Sequence, residues 1–118
     1  MTTQPLELST VEVSTLDDGM LVRLRGRLDA GTAPALRDVL LRVRPAGCED
    51  ILVDAGGVVS IDDAALAVLI AAPLWAEATN ARLAYTRVAR PLAKAAREAG
   101  VIDLLPRMPP PGQRRPVD

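Results

Sequence analysis

The N-terminal part of the chain alternates between apolar and polar residues, which is the pattern of β-strands. Residues 6–15 alternate partially, residues 17–19 form an Asp-Asp-Gly turn sequence, and residues 20–28 alternate again. This order predicts a β-hairpin. In its second strand successive side chains point to opposite faces, and one of the two sets is apolar. We expect this set to face the core: Met20, Val22, Leu24 and Gly26.

Helical and strand-like segments follow the hairpin. A first helix is predicted after Thr32, a residue type that caps helix N-termini, with Pro34 in its first turn. Its apolar residues recur at helical spacing, namely Leu36, Val39, Leu40 and Val43. The apolar run at residues 51–53 then predicts a buried strand, and we expect Gly56 and Gly57 to interrupt it.

A second helix is predicted from Asp62 or Asp63 to about Thr79, because a carboxylate at a helix start accepts backbone N–H groups and meets the positive end of the helix dipole. The helix is apolar nearly all round. Pro73 lies inside it, has no N–H and crowds the carbonyl of Leu69. We therefore expect the helix to bend near Leu69 to Pro73.

The rest of the pattern predicts one α/β domain. A fourth strand spans residues 82–87, a third helix begins at Pro91 and stops at Gly100, and a short packing segment follows. The element order is ββαβαβα plus a short C-terminal helix. Right-handed crossovers then give a four-stranded mixed sheet with helices packed mainly on one face.

The chain has 118 residues, which is enough for one domain with one core. We expect residues 6–105 to form this domain and residues 1–5 to be a flexible N-terminus. Proline and arginine are concentrated in residues 106–118, and this composition predicts a disordered tail.

Composition excludes most catalytic chemistry. Apolar residues make up 49% of the chain, but there is no histidine and no Phe, and Trp75 and Tyr85 are the only aromatic residues. The absence of histidine excludes histidine general bases, Ser-His-Asp triads and histidine-ligated metals. The single cysteine, Cys48, cannot form an internal disulfide, which fits a reducing compartment. We therefore expect a protein that is not an enzyme and uses no cofactor or metal.

Charge and hydropathy bear on location and partners. The net charge is -1, which argues against electrostatic binding to nucleic acid or to an anionic membrane. No segment approaches the roughly 20 apolar residues of a membrane span, and the N-terminus does not resemble a secretory signal. We expect a cytoplasmic protein that neither binds nucleic acid nor inserts into a membrane.

Short motifs occur in a characteristic order along residues 6–105. They are Gly26-Arg27-Leu28-Asp29, Thr32-Ala33-Pro34-Ala35-Leu36, Leu52-Val53-Asp54, Val58-Val59-Ser60-Ile61-Asp62, Leu66 and Gly100-Val101-Ile102-Asp103-Leu104-Leu105. Together they resemble a single-domain STAS protein of the bacterial anti-sigma factor antagonist family. The resemblance implies the STAS fold and a role in signalling and transcription regulation.

The chain departs from this family at the start of the second helix. Family antagonists have Asp-Ser-Ser-Gly where this chain has Asp62, Asp63, Ala64 and Ala65. In the family, the second serine accepts a phosphoryl group from the anti-sigma factor, which is also its kinase, and phosphorylation breaks the complex. Ala64 occupies this phosphoacceptor position and has no hydroxyl, so we expect no phosphorylation there.

Two other residues could take over part of the switch. Asp63 could imitate the phosphorylated state. However, its carboxylate is planar, carries one charge and lies one residue before the phosphoacceptor position, so it resembles a tetrahedral phosphate group only weakly. Ser60 is a conceivable substitute acceptor, although we expect it to lie in the strand before the junction.

The resemblance implies a regulatory protein-binding module whose partner is an anti-sigma factor with a kinase-like ATPase fold. The expected partner-binding residues are Asp29, Thr32, Ser60, Asp62, Asp63, Ala64, Ala65, Leu66 and Trp75. One alternative is an accessory STAS subunit of an ABC-type lipid-trafficking transporter. Another is a STAS scaffold on which this junction is only a capped helix start. A homodimer is also possible.

Two further surfaces carry alternatives. The second helix has two apolar stripes, one with Leu66, Ile70 and Pro73 and one with Val68, Ala72 and Trp75. Only one can face the sheet; the other packs on neighbouring helices or forms a partner surface centred on Trp75. The second strand carries a basic row, either a solvated face or a docking face for an acidic partner. The row consists of Arg23, Arg25 and Arg27.

Overall fold

The computed structural model describes residues 11–16, 19–42 and 50–108. Within them the elements follow the predicted order, and the predicted fold class is confirmed. The elements are β1 (Val11–Leu16), β2 (Gly19–Leu28), α1 (Ala33–Arg42), β3 (Asp50–Ile61), α2 (Asp63–Ala78), β4 (Arg82–Val88), α3 (Arg90–Glu98) and a 3-10 turn (Ile102–Leu104). The predicted flexible N-terminus and residues 109–118 of the predicted tail lie outside the described residues.

The four strands form one sheet in the order β1-β2-β3-β4. β1 runs antiparallel to β2, whereas β2, β3 and β4 are mutually parallel. The helices pack on one face of this sheet, and Met20, Val22 and Leu24 are buried as predicted. Because β2 and β3 are parallel, their carboxyl ends lie at the same edge, and α1 and α2 begin there.

The predicted interruption of β3 at Gly56 and Gly57 is wrong, since the strand continues through both residues to Ile61. A Cβ atom on Gly57 would lie 2.5 Å from Cγ of Arg25, and a Cβ atom on Gly56 would lie 3.2 Å from Cβ of Arg87. The glycines therefore make room for arginine side chains of the two neighbouring strands.

α2 runs from Asp63 to Ala78, so the helix continues through Pro73 and ends near Thr79 as predicted. Proline cannot donate a hydrogen bond to the carbonyl of Leu69, four residues earlier. The hydroxyl of Tyr85 on β4 donates to this carbonyl instead, at 2.6 Å. Burial raises the pKa of Tyr85 far above its ordinary value, so the hydroxyl keeps the proton that it donates. The bend near Leu69 to Pro73 stays a prediction.

One side of α2 is almost fully buried, and it includes Ala72 from one of the two apolar stripes. It consists mainly of small residues, namely Ala65, Leu69, Ala72 and Ala76. α2 packs beside α1 on one flank and beside α3 on the other. Contact with the sheet and with two helices therefore accounts for the buried part of its apolar surface. Among the described residues, no helix is both long enough and apolar enough to span a membrane.

The chain pairs with β4 again after the 3-10 turn. The buried Leu105 is followed by residues 106–108, which lie parallel to β4 beside Tyr85. The N–H of Tyr85 donates to the carbonyl of Pro106 at 2.6 Å, and the N–H of Met108 donates to the carbonyl of Tyr85 at 3.0 Å. Backbone pairing with the sheet thus extends past the predicted domain end at residue 105.

Candidate protein-binding site

The carboxyl ends of β2 and β3 bring two helix starts together. Leu28 pairs with Ile61 at the ends of these strands. The loop of residues 29–32 then leads into α1, and Asp62 leads into α2. The N–H of Asp62 donates to the carbonyl of Leu28 at 3.0 Å, so the two connections are in direct contact.

Asp62 is the residue that caps α2, as predicted for this position or the next. Its Oδ1 accepts the N–H of Ala65 at 3.0 Å, and its Oδ2 accepts the N–H of Ala30 at 2.8 Å. The first bond satisfies one of the free donors of the helix start. The second joins α2 to the loop before α1. One carboxylate therefore fixes the relative position of the two connections.

Asp29 and Thr32 hold the loop itself. Oδ1 of Asp29 accepts the N–H groups of Gly31 at 3.0 Å and Thr32 at 3.1 Å. In return, the hydroxyl of Thr32 accepts the N–H of Asp29 at 2.9 Å. Thr32 was expected to cap α1, but its side chain bonds to Asp29. The carbonyl of Asp29 already accepts the N–H of Ala33, the first residue of α1, at 2.8 Å.

The expected site residues differ in exposure. Most are exposed, namely Asp29, Ser60, Asp62, Asp63 and Ala64, and Thr32 is half-buried. Ala65 is 0% exposed and Leu66 is 5% exposed. Ala65 therefore packs in the core under the exposed junction. Ser60 lies in β3, as expected, with its side chain exposed.

An apolar groove continues from this junction along α2. It begins at Asp63, is open along its length and has a volume of about 440 Å³. Leu74 stands in it with 64% of its surface exposed. The other lining residues are Leu66, Ala67, Ile70 and Ala71 of α2 and Ala99 and Val101 after α3. The groove was not predicted from the sequence, although positions 63, 67, 70 and 74 have the spacing of one helix face.

The structure does not bring Trp75 together with the junction. At 1.5 Å rise per residue, Trp75 lies about 18 Å along α2 from Asp63. Its ring is half-buried, and the guanidinium of Arg37 on α1 lies 6.0 Å from the ring centroid. Trp75 also lines a small cavity of about 170 Å³ with Leu40 and Leu41. Its stripe therefore meets α1, whereas the stripe of Leu66 and Ile70 borders the groove.

The basic row on β2 is largely paired within the sheet. Arg25 forms an ion pair with Glu12 at 2.7 Å, and Arg23 contacts Asp54 at 3.5 Å. Arg27 has no ion pair within residues 11–16, 19–42 and 50–108. In the same part of the chain, no three His, Cys, Asp or Glu side chains are grouped so that they could hold a metal ion.

The double role of Asp62 leads to a first prediction. Asp62→Ala should lower the free energy of unfolding by about 1 kcal/mol, because the N–H groups of Ala65 and Ala30 lose their acceptor. Asp62→Asn is the control, since its side-chain oxygen can still cap the helix. Urea unfolding followed by circular dichroism measures both. Equal losses in the two variants would show that the cap contributes little and that the loss comes from the charge or from the bond to Ala30, whose N–H an asparagine amide nitrogen cannot accept.

Comparisons with known proteins agree with this architecture. Residues 11–106 match the family model described as Mlab, STAS domain. The anti-sigma factor antagonist from Mycobacterium paratuberculosis has a similar structure, with a TM-score of 0.71, 20% identity and 87% of each chain covered. The antagonist SpoIIAA in its unphosphorylated form has a TM-score of 0.65 and 13% identity, with 83% of this chain and 87% of SpoIIAA covered.

Mglu contains a similar unit within a much longer chain. The TM-score is 0.63 and the identity 23%, and the match covers 76% of this chain but only 23% of Mglu. Identities this low show a shared fold only. No curated protein sequence matches the chain.

Proposed function

Because this chain belongs to the STAS domain family, we propose that it is a non-enzymatic regulatory module that binds another protein through the start of α2 and the adjoining groove. One observation carries the proposal. The exposed polar junction at Asp62, Asp63 and Ala64 continues directly into the exposed apolar groove that ends near Leu74.

The shape and chemistry of this surface favour a protein partner. Protein interfaces combine an apolar centre with a polar rim, and here Leu74 and Ile70 supply apolar area while Asp63 stands at one end. Small-molecule sites enclose most of their ligand, whereas this groove is open along its length. The hydrogen bonds of Asp62 hold the junction before any partner binds, which reduces the ordering cost of association.

The partner that fits the fold best is an anti-sigma factor with a kinase-like ATPase fold, bound in the cytoplasm. The likeness to two anti-sigma factor antagonists over most of their length supports this partner. Ala64 is exposed at the family's phosphoacceptor position but has no hydroxyl. The complex is then constitutive and is controlled by the amount of protein instead of by phosphorylation at this position.

A second candidate is an accessory STAS subunit of an ABC-type lipid-trafficking transporter. The matching family model is described as Mlab and not as an anti-sigma factor antagonist, which favours keeping this candidate. In that case the same junction and groove bind the cytoplasmic ATPase of the transporter.

Co-precipitation from the native cell tests both candidates. The tagged full chain is crosslinked in growing cells, and its partners are identified by mass spectrometry. A kinase-fold anti-sigma factor supports the first proposal, and a transporter ATPase supports the second. Recovery of neither class would overturn both.

Leu74→Glu should weaken binding of the partner identified in this way by at least about tenfold, equal to about 1.4 kcal/mol. The reason is that glutamate places a charge in the apolar groove. The thermal midpoint should change little, since the Leu74 side chain is mostly exposed. The matched control is Leu41→Glu, an exposed leucine of α1 beside Trp75. Isothermal titration measures both affinities. A loss with Leu41→Glu alone would place the interface on the Trp75 side.

A further inference from the structure

Glu77 lies at the far end of the apolar groove. It follows Leu74 by three residues in α2, and it is exposed. Successive residues of a helix are about 100° apart, so Glu77 falls within the arc of α2 that extends from Leu66 to Ala71, two residues that line the groove. An acidic residue therefore stands at each end of the groove, with about 21 Å of helix between Asp63 and Glu77.

No basic side chain neutralises Glu77 in the described part of the chain. α2 contains no lysine or arginine, and Glu77 forms no ion pair with any described residue. Arg82, the first residue of β4, donates to Asp50 instead, at 2.9 and 3.1 Å. Arg97 of α3 lies two residues before the groove-lining Ala99, which places the two on different sides of that helix. The far end of the groove therefore presents a negative charge.

The lining of the groove has the spacing of a helix surface. Ala67, Ile70 and Leu74 recur every three or four residues along the axis of α2. A second helix matches this spacing, because its side chains recur at the same interval and pack between those of the first. On one face of an extended strand the side chains are about 6.6 Å apart, which does not match the average of about 5.4 Å along a helix.

We propose that the part of the partner that lies in this groove is an amphipathic helix, whose apolar face packs against Ile70 and Leu74 and whose lysine or arginine pairs with Glu77. Amphipathic helices bind in apolar grooves through side chains three or four residues apart. The basic residue selects for the partner by complementary charge. This inference rests on the binding site proposed above and adds the chemistry of the segment that binds there.

Two synthetic peptides serve as probes of the full chain. Both form a helix of about five turns with leucines on one face, and they differ only at the two ends of that face, which carry lysine in one peptide and glutamate in the other. We expect the lysine peptide to bind at least about fivefold more tightly, measured by fluorescence anisotropy.

Glu77→Lys should abolish this preference for the lysine peptide. The variant should remain folded, because Glu77 is exposed and lysine in the last turn of a helix interacts favourably with the helix dipole. The matched control is Asp38→Lys, which replaces an exposed acidic residue of α1 and changes the net charge by the same amount. Asp38→Lys should keep the preference of the parent.

The outcomes separate this inference from the proposed function. If Glu77→Lys keeps the preference, or if neither peptide binds, the helix with its basic residue is overturned, whereas Leu74→Glu with the identified partner still decides on the groove. A lysine peptide with a central proline cannot form the continuous helix and should bind at least about tenfold more weakly. Equal binding of that peptide would overturn the helical shape and indicate an extended segment. Unchanged binding of the lysine peptide to Leu74→Glu would place the peptide outside the groove and would also overturn the inference.

Discussion

Ala64→Ser is expected to convert the chain from a protein that a kinase-fold partner does not phosphorylate at this position into one that accepts a phosphoryl group there. Ala64 is exposed in the first turn of α2, so a serine hydroxyl would be accessible without a change in the core. The free N–H groups and dipole of a helix start favour a phosphate group. Intact-mass spectrometry after incubation with the identified kinase and ATP should show one added phosphoryl group.

The phosphorylated variant should bind its partner at least about a hundredfold more weakly, which corresponds to about 2.8 kcal/mol. A phosphoserine adds about 1.5 to 2 negative charges beside Asp62 and Asp63, in the middle of the proposed contact. Before phosphorylation the affinity should equal that of the parent, because serine adds only a small hydroxyl.

Ala67→Ser is the matched control for this experiment, since it places an exposed serine further along the same helix, away from its start. It should stay unmodified, as should the parent chain. A phosphate on Ser60 of the parent would contradict constitutive binding. If the partner is an active kinase and does not phosphorylate Ala64→Ser, restoring the serine hydroxyl is not sufficient for phosphorylation. Other residues that the switch requires are then also missing from this chain.

Local signals in the sequence were sufficient for most of the fold. The alternation along β2, the cap at Asp62 and the stop at Gly100 each depend on residues close in sequence. Gly100 has a φ of 76°, a conformation that favours glycine, and it directly follows the C-cap of α3. The predicted break at Gly56 and Gly57 is wrong because the role of these glycines depends on Arg25 and Arg87, which lie on other strands.

The candidate site could be predicted only in part. The polar junction follows from residue types at a strand end, and Asp62 indeed caps α2. The groove depends on how closely Ala99 and Val101 approach α2, which no local pattern reveals. For the same reason the sequence predicted Trp75 as a partner-binding residue, although its neighbour Leu74 is the more exposed of the two. The positions of α1 and α3 decide which stripe of α2 is covered.

Tyr85→Phe should lower the free energy of unfolding by about 2 kcal/mol and the thermal midpoint by about 8 °C. The hydroxyl is buried and donates to the carbonyl of Leu69, which has no helical donor because Pro73 lacks an N–H. Tyr85→Phe keeps the ring and its packing but leaves this carbonyl without a donor. Urea and thermal unfolding measure the loss.

The raised pKa of Tyr85 provides a second readout. A group whose pKa is raised by folding stabilises the folded state at pH values below its unfolded pKa, which for tyrosine is about 10. This contribution is lost as the pH rises above that value, because the unfolded chain can ionise and the buried hydroxyl cannot. The parent should therefore lose stability above about pH 10 more steeply than Tyr85→Phe. Parallel curves would show that Tyr85 ionises without unfolding.

Pro73→Ala tests whether the proline is the reason for the tyrosine bond. Alanine restores an N–H four residues after Leu69, so the carbonyl regains an ordinary helical donor. In the Pro73→Ala background, Tyr85→Phe should cost about 1 kcal/mol less than in the parent, and this difference is the coupling free energy of the double-mutant cycle. An equal cost in both backgrounds would mean that the tyrosine hydroxyl contributes independently of the proline. A reduced cost would explain why a buried tyrosine and a proline inside a helix occur together in this core.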